Sequence, residues 1–288
     1  MAKAREIKRR MRSVDNTKKI TRTMEMVAAS KLRRAQQRVA QARPYAEKLS
    51  DVIRNLITPE LAELKPVLRQ PARIRRAAVV LLTSNRGLAG GFNANLIRKA
   101  RHQLAELSED GVETELHVVG KKGIAFFKFR NIEMASARMD ISDRPTIEDA
   151  RSIVEPLAEQ FIREEIDAIY VIYSEFRSVM STPPAVRMLL PVYVPAGRVR
   201  SGPYYILDPS ADAILETLLP LYVTQTVYKA LVETAAAEQG ARRTAMKSAT
   251  DNAEDFLSNL TRSYNRARQA EITNQIAEIM GGADALAQ

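Results

Sequence analysis

The 288-residue chain has no cysteine and no tryptophan, and its only histidines are His102 and His117. Without cysteine the chain cannot form disulfides, thiolate metal sites or a thiol nucleophile. The two histidines fall in different predicted elements, so a metal cluster or a catalytic triad built on them is not expected. These absences remove most of the common catalytic and metal-binding arrangements.

Long apolar segments are absent as well. No apolar run reaches the roughly 18 residues that a membrane span requires. The first residues, MAKAREIKRRMRSV, are basic but lack the apolar core and the small-residue cleavage site of a signal peptide. We therefore expect a soluble protein of the cytoplasm.

Positive charge is concentrated at the beginning of the sequence. Residues 1–54 contain 16 Lys and Arg against 5 Asp and Glu, whereas residues 209–288 contain 7 against 10. This asymmetry suggests that the two chain ends lie against each other, or that the first faces an acidic partner.

The first 57 residues read as one long helix interrupted only by Pro44. Apolar residues recur at alternating steps of three and four, which is the heptad pattern of a coiled coil. The predicted seam consists of Ala28, Leu32, Ala35, Val39, Ala42, Ala46, Leu49, Ile53 and Leu56. Such a helix is about 80 Å long, and we expect a local kink at Pro44.

Residues 209–288 predict a second long helix. Its apolar stripe is narrow and rich in alanine, which permits close approach of a partner helix: Ala245, Ala249, Ala253, Phe256, Leu260 and Ala267. Gly281 and Gly282 predict its end. A helix of about 100 Å exceeds any compact domain, so we expect the two chain ends to pair as an antiparallel two-helix coiled coil.

The middle of the chain, residues 74–208, changes to a strand period. Apolar, β-rich runs at 77–84, 113–120 and 168–176 alternate with helical stretches around 93–109 and 147–165, and 187–195 reads as a further edge strand. This order predicts a small α/β domain with a mainly parallel sheet.

A glycine-rich segment, SNRGLAGGFN at 84–93, follows the first strand and opens a helix. Glycines at this place can cradle a phosphate. The segment matches neither the dinucleotide-binding pattern nor the P-loop pattern, so a tight turn that allows close helix–sheet packing is the preferred interpretation.

The acidic residues form no convincing catalytic pair, and no metal site or cofactor is expected. Nucleic-acid binding through the basic helix is also disfavoured, because residues 1–44 contain no aromatic side chain for base stacking. Two alternatives remain open: an enzyme that uses the α/β domain on a nucleotide, and a basic coiled-coil protein that binds nucleic acid.

Four segments together resemble the gamma subunit of bacterial F-type ATP synthases: ITRTMEMVAASKLRRAQ (20–36), SNRGLAGGFN (84–93), EQGARRTAMKSATDNA (238–253) and YNRARQAEITNQIAEI (264–279). They follow the family's order and span nearly the whole chain. The resemblance implies a coiled coil of the two chain ends with a central small Rossmann-like α/β domain. It also implies the role of central rotor stalk, without catalytic residues of its own.

The resemblance further implies the partners and the surfaces that meet them. The partners would be the alpha and beta subunits, the epsilon subunit and the membrane c-ring, at the cytoplasmic face of the bacterial inner membrane, without lipid insertion. The implied beta-subunit contacts are Met24, Arg242, Arg268, Gln269 and Thr273; the apolar bearing tip is Ile276, Ile279 and Leu286; the c-ring contacts are Tyr205 and Asp208. Gln275 stands where related sequences often have a glutamate.

Overall fold

The protein is described here from a computed structural model, which covers residues 2–57, 66–192 and 210–286. Two long helices stand at the chain ends, and an α/β segment lies between them. In chain order the elements are α1 (Ala2–Leu56), β1 (Arg76–Leu82), α2 (Phe92–Glu109), β2 (Glu113–Val119), α3 (Lys121–Phe129), β3 (Ser136–Arg138), α4 (Ile147–Ile162), β4 (Ala168–Ser174), β5 (Pro184–Leu190) and α5 (Ala211–Leu286), with a short 3-10 helix at Pro66–Leu68.

The sheet has the strand order β3-β2-β1-β4-β5. The pairs β3–β2, β2–β1 and β1–β4 are parallel, and β5 joins β4 antiparallel at the edge. The predicted α/β class and the predicted edge strand are therefore confirmed, with the edge strand beginning three residues earlier than the sequence pattern suggested.

Both faces of the sheet are covered by helices. Along β1, Ala78, Val80 and Leu82 belong to one apolar cluster, with residues of α4, α1 and α5. The alternate residues Ala77, Val79 and Leu81 belong to a second cluster, with residues of α2 and α3. Strand side chains alternate between faces, which explains why β1 is apolar at almost every position. Each fully buried aliphatic or aromatic side chain contributes about 1.5–3 kcal/mol.

The chain divides into two compact units. One comprises Met1–Ala28 with Arg243–Gln288, and the other comprises Ala29–Arg242. The long helices contribute residues to both units. Within the second unit, Leu32 of α1 lies near Gly240 of α5, and Arg43 of α1 binds Glu233 of α5. Rising numbers on one helix thus meet falling numbers on the other, as expected for an antiparallel pair.

The seam on α1 is longer than the sequence pattern predicted. The less exposed positions continue below Ala28 without a break in the heptad steps, at Glu25, Thr21, Lys18, Val14, Met11, Ile7 and Ala4. The sequence pattern predicted the seam only as far as Ala28, because the next three seam positions toward the N-terminus are polar.

Two expectations for α5 are wrong. Phe256 is 53% exposed, and the seam passes instead through Met246, Thr250, Ala253, Leu257 and Leu260. The helix also continues through Gly281 and Gly282 to Leu286. Glycine costs only about 1 kcal/mol in a helix interior, and it ends a helix only where it adopts the left-handed conformation.

Elements α3 and β3 were not predicted. The helix α3 has nine residues and contains Gly123, and β3 has three residues. Segments this short carry too few periods for a hydrophobic pattern to be recognised.

Candidate functional site

The unit formed by the two chain ends is a helix pair with a partly polar seam. Thr21 of α1 and Thr250 of α5 are both buried, and their hydroxyl oxygens are 2.8 Å apart. One turn away, Lys18 Nζ lies 2.9 Å from Glu254 Oε1. The hydrogen bond of Lys18 is the main reason why the pKa of Glu254 is lowered. The two helices are therefore held in register by specific polar contacts.

Large apolar side chains lie exposed on this helix pair. Met24, the predicted contact on α1, is 39% exposed. The other exposed apolar side chains of α1 in this unit are Ile20, Met26 and Val27, and those of α5 are Phe256, Ile272, Ile276, Ile279 and Met280. Exposed apolar side chains grouped on one element are typical of a surface that meets a partner protein.

The predicted contacts at the end of α5 lie on exposed parts of the helix. Arg268, Gln269, Thr273 and Gln275 are exposed, and the Thr273 hydroxyl donates to the Gln269 carbonyl at 3.0 Å. Ile276 and Ile279 are 53% and 72% exposed. Leu286 is the last helical residue, but its side chain lies outside the described part of the chain, as do Tyr205 and Asp208.

Arg242 is placed differently from the other predicted contacts. It belongs to the other compact unit, and its side chain is only 12% exposed. Its guanidinium donates to the Gly87 carbonyl from Nε at 3.3 Å and from Nη2 at 3.2 Å, and pairs with Glu238 at 2.6 Å. The structure therefore gives Arg242 intramolecular partners, and Arg242 and Arg268 belong to different compact units.

The glycine-rich segment closes into a loop through its own side chains. The Ser84 backbone N–H donates to Asn93 Oδ1 at 3.1 Å, and the Ser84 hydroxyl donates to the Arg86 carbonyl at 2.6 Å. Gly90 has a φ of 56°, in the left-handed region that favours glycine. The expected tight turn is present.

The N-terminal amides of α3 lie next to the glycine-rich loop and are one group of donors at this edge of the sheet that could bind an anion. Each of the first three is satisfied within the chain. Lys121 N–H donates to Asn85 Oδ1 at 2.9 Å, Lys122 N–H to the Ser84 carbonyl at 3.1 Å, and Gly123 N–H to Thr83 Oγ1 at 3.0 Å. Three consecutive residues after β1 therefore accept the hydrogen bonds of the first three amides of α3.

An ion pair between the buried Glu233 carboxylate and the Arg43 guanidinium, whose side chain is 36% exposed, connects both long helices to the end of β4. Glu233 of α5 is 2% exposed, and its Oε1 accepts from Arg43 Nε at 3.2 Å. Its Oε2 accepts from the Phe176 backbone N–H at 3.4 Å. Arg43 Nη2 also donates to the Phe176 carbonyl.

A second charged group lies beside the glycine-rich loop. Burial raises the pKa of Glu238, although the charge and hydrogen bond of Arg242 oppose the change. Burial also acts to raise the pKa of Asp143, but the hydrogen bond and charge of Lys31, at 2.5 Å, together with the charges of Arg144 and Arg86, outweigh it and lower that pKa. Glu238 and Asp143 line a cavity of about 310 Å³ together with residues 82–86.

His117 lies on β2 with its side chain largely buried. Burial lowers the pKa of this imidazole, and the nearby charge of Glu115 opposes the change. Its Nδ1 lies 2.9 Å from Ser136 Oγ. Among the residues described, no group of three or more His, Asp or Glu side chains is arranged to hold a metal ion.

Sequence reasoning missed the contacts at the carboxyl end of the sheet. Glu233 is the only charged residue in the largely apolar run ALVETAAA, where a lone acid signals a buried partner. Asn85 gave no comparable signal, because an asparagine beside glycines is also common in ordinary turns. In the part of the chain that is described, no helix is long and apolar enough to span a membrane.

Comparison with known proteins identifies one family. A family profile described as ATP synthase matches residues 3–286. The ATP synthase gamma chain of Gemmatimonas aurantiaca is 56% identical over 288 residues, which cover 99% of each chain. That of Moorella thermoacetica is 45% identical over 286 residues, covering 99% of this chain and 100% of the relative.

Solved structures with a similar fold come from mitochondrial ATP synthases. An Euglena gracilis chain from the OSCP/F1/c-ring structure matches with a TM-score of 0.67 at 18% identity, over 99% of this chain and 95% of that chain. A Tetrahymena thermophila chain from the central stalk/c-ring structure matches with a TM-score of 0.61 at 22% identity, over 80% and 99%. At these identities the likeness concerns the fold.

Proposed function

This chain belongs to the ATP synthase gamma chain family, and we propose on that basis that it is the central rotor stalk of an F-type ATP synthase. In this role it transmits rotation of the membrane c-ring to the catalytic beta subunits, for ATP synthesis or hydrolysis coupled to proton flow. The observation that carries the proposal is full-length similarity to gamma chains, together with a helix pair that exposes apolar and polar side chains for partners.

The subunit itself is proposed to be non-catalytic. The N-terminal amides of α3 donate to oxygen atoms of Thr83, Ser84 and Asn85, and these three donors are therefore already used within the chain. The chain also lacks cysteine. Its contribution to ATP synthesis is mechanical on this account, and the chemistry takes place on the beta subunits.

The proposed partners are the alpha and beta subunits around the helix pair, and the epsilon subunit and c-ring at the α/β domain. The chain would sit at the cytoplasmic face of the inner membrane as a peripheral protein, without direct lipid insertion and without binding nucleic acid. The proposed domains are 1–57 and 209–288 as coiled coil, and 74–208 as the foot.

The proposed beta-subunit contacts are Met24, Arg268, Gln269 and Thr273, with Ile276, Ile279 and Leu286 as the bearing tip. Arg242 is retained as a contact, although its guanidinium already binds Gly87 and Glu238. Tyr205 and Asp208 are proposed to meet the c-ring. A rotating element can change a beta subunit only through contacts that differ between that subunit's conformations, and the exposed side chains on α1 and α5 are accessible for such contacts.

Co-expression with the alpha and beta subunits of the same genome tests the proposal. We expect the full chain to co-purify with both, and we expect deletion of residues 1–20 to weaken assembly or coupling, because the deletion removes the α1 side of the contact at Lys18. Recovery of the chain as a lone monomer would contradict the proposal. Tight binding of ATP, ADP or NAD to the isolated chain would favour the alternative of an enzyme.

A further inference from the structure

The carboxyl end of a parallel sheet is where α/β proteins usually bind their ligands, next to the point at which the strand order reverses. Here that point lies between β1 and β4, because β2 and β3 follow on one side of β1 and β4 lies on the other. The groups at this edge bind side chains of the two long helices.

Beyond the point where β1 and β4 stop pairing, backbone N–H groups at and after the end of β4 donate to side chains of helix α5 instead. The register of β1 with β4 ends at the pair Leu81 and Ile172. Beyond it, Ser174 N–H donates to Thr234 Oγ1 at 3.3 Å, and Phe176 N–H donates to Glu233 Oε2 at 3.4 Å. The intervening N–H, that of Glu175, points to the other edge and donates to the Pro183 carbonyl at 3.0 Å.

Helix α1 joins the same contact through Arg43. Its guanidinium reaches both Glu233 and the carbonyl of Phe176. Phe176 therefore has its N–H bound to a side chain of α5 and its carbonyl bound to a side chain of α1. One residue at the end of β4 is thus fixed to both long helices.

The loop after β1 and the segment before α4 are also bound to side chains of the long helices. Its Gly87 carbonyl accepts two hydrogen bonds from Arg242 of α5, and Lys31 of α1 pairs with Asp143 in the segment before α4. All of these residues belong to the unit Ala29–Arg242.

We propose that Arg43 and Glu233 are positioning residues that fasten the carboxyl end of the sheet to both long helices for torque transmission. This proposal rests on the proposed function. Hydrogen bonds weaken steeply when distance and angle change. Such contacts therefore resist sliding of the long helices along the sheet in a way that apolar packing alone does not. In other α/β proteins this edge of the sheet forms a crevice that binds a ligand. In this chain the same edge holds the two long helices.

The test compares stability with coupling in the assembled ATP synthase. The variants are Arg43→Met, Glu233→Met and the double variant, with the exposed α2 pair His102→Met/Glu106→Met as the matched control. Arg43→Met leaves the buried Glu233 carboxylate without its cationic partner, whereas the Arg43 side chain that Glu233→Met leaves behind is 36% exposed. We therefore expect thermal stability of the full chain to fall most in Arg43→Met and to recover in part in the double variant, in which no buried charge remains unpaired.

We expect the coupling of proton pumping to ATP hydrolysis to respond differently from thermal stability. The double variant still lacks the directional contacts to Phe176, so we expect protons pumped per ATP hydrolysed, measured in inverted vesicles, to fall at least about twofold even though stability recovers. Arg43→Lys keeps the charge but not the fork that reaches both partners, and we expect it to lower the same ratio while stability stays near that of the unaltered chain.

The outcomes separate this proposal from the proposed function. Normal pumping per ATP in both the double variant and Arg43→Lys would overturn the torque role of the ion pair. Coupling that recovers in parallel with stability would show a purely structural role, and would overturn it too. Failure of the unaltered chain to assemble or pump would instead contradict the rotor function itself.

Discussion

Thr21 of α1 and Thr250 of α5, 229 residues apart in sequence, share a buried hydrogen bond of 2.8 Å between their hydroxyl groups. Thr250 Oγ1 is also 2.9 Å from the Met246 carbonyl, and Thr21 Oγ1 is 3.0 Å from that of Lys18. The pair occupies a seam that is otherwise largely apolar on α5, and it fixes the register of the two chain ends.

This register contact predicts a non-additive response to substitution. We expect Thr250→Val alone to lower the free energy of unfolding by about 1 kcal/mol, because the Thr21 hydroxyl loses its cross-helix partner. The double variant Thr21→Val/Thr250→Val should recover that loss, since two apolar residues of similar shape then meet. Urea unfolding of the full chain measures both. Thr261→Val, on the exposed side of α5, is the control, and equal effects in the single and double variants would contradict the assignment.

We predict that one position in the turn between β2 and α3 accepts only glycine. Gly120 has a φ of 103°, and a Cβ there would lie 2.2 Å from the Thr83 carbonyl oxygen. We expect Gly120→Ala to cost about 3 kcal/mol or more, from strain and from displacement of the Thr83 backbone.

Gly91 provides the comparison for that substitution. It caps α2 with a φ of −78°, and an added Cβ would meet nothing closer than Asn95 at 3.5 Å. Gly91→Ala should change the free energy of unfolding by only about 0.5 kcal/mol. Thermal unfolding of the two variants side by side measures the difference, and similar melting temperatures would contradict the predicted strain.

The raised pKa of Glu238 predicts that the stability of the folded chain depends on pH. Burial raises its pKa above the ordinary value of 4.5, so the folded state holds this proton more tightly than the unfolded state. Its contribution to stability is therefore present at pH values below 4.5 and is lost as the pH rises through the folded-state pKa. Glu238→Gln removes this titration and keeps an oxygen for Arg242.

The measurement is the difference in unfolding free energy between Glu238→Gln and the unaltered chain, from about pH 4 to about pH 8. We expect the difference to change in favour of the variant as the pH rises. A constant difference across this range would show that burial does not shift the titration of Glu238.

The exposed contacts on α5 predict loss of function without loss of stability. Arg268→Ala and Gln269→Ala alter exposed side chains, so the free energy of unfolding should stay within about 0.5 kcal/mol. ATP synthesis by the assembled complex should fall, because these side chains are proposed to meet the beta subunit. Arg262→Ala, also exposed on α5, is the control.

Arg242→Ala should give a different result from Arg268→Ala. Its removal leaves the Gly87 carbonyl and the buried Glu238 without their partner, so we expect a lower free energy of unfolding as well as lower activity. Unchanged stability in Arg242→Ala would indicate that these intramolecular contacts contribute little.

The sequence allowed the coarse architecture to be predicted because the long helices and the apolar strands each repeat one period over many residues. The first helix was predicted at 1–57 and observed at Ala2–Leu56, and the run 77–84 corresponds to a strand at Arg76–Leu82. The predicted position of Phe256 in the apolar stripe is wrong by one residue, since Leu257 is the less exposed of the two. Small residues on both sides make a narrow alanine stripe ambiguous.

The contacts at the carboxyl end of the sheet could not be predicted in the same way. They join residues far apart in sequence, such as Arg43 with Glu233, and they use backbone groups that carry no sequence signal. The glycine-rich segment illustrates the same limit. Its turn was expected, but the capping of α3 by Asn85 depends on where two strands end.

Rotation of the assembled complex tests the central claim most directly. The chain contains no cysteine, so Ser108→Cys on the exposed end of α2 provides a single attachment point for a gold rod when the partner subunits are also free of cysteine. With the catalytic head fixed to a surface and ATP added, the account predicts continuous rotation of the rod in one direction. A rod that stays bound but does not rotate while ATP is hydrolysed would contradict the assignment of this chain as the rotor.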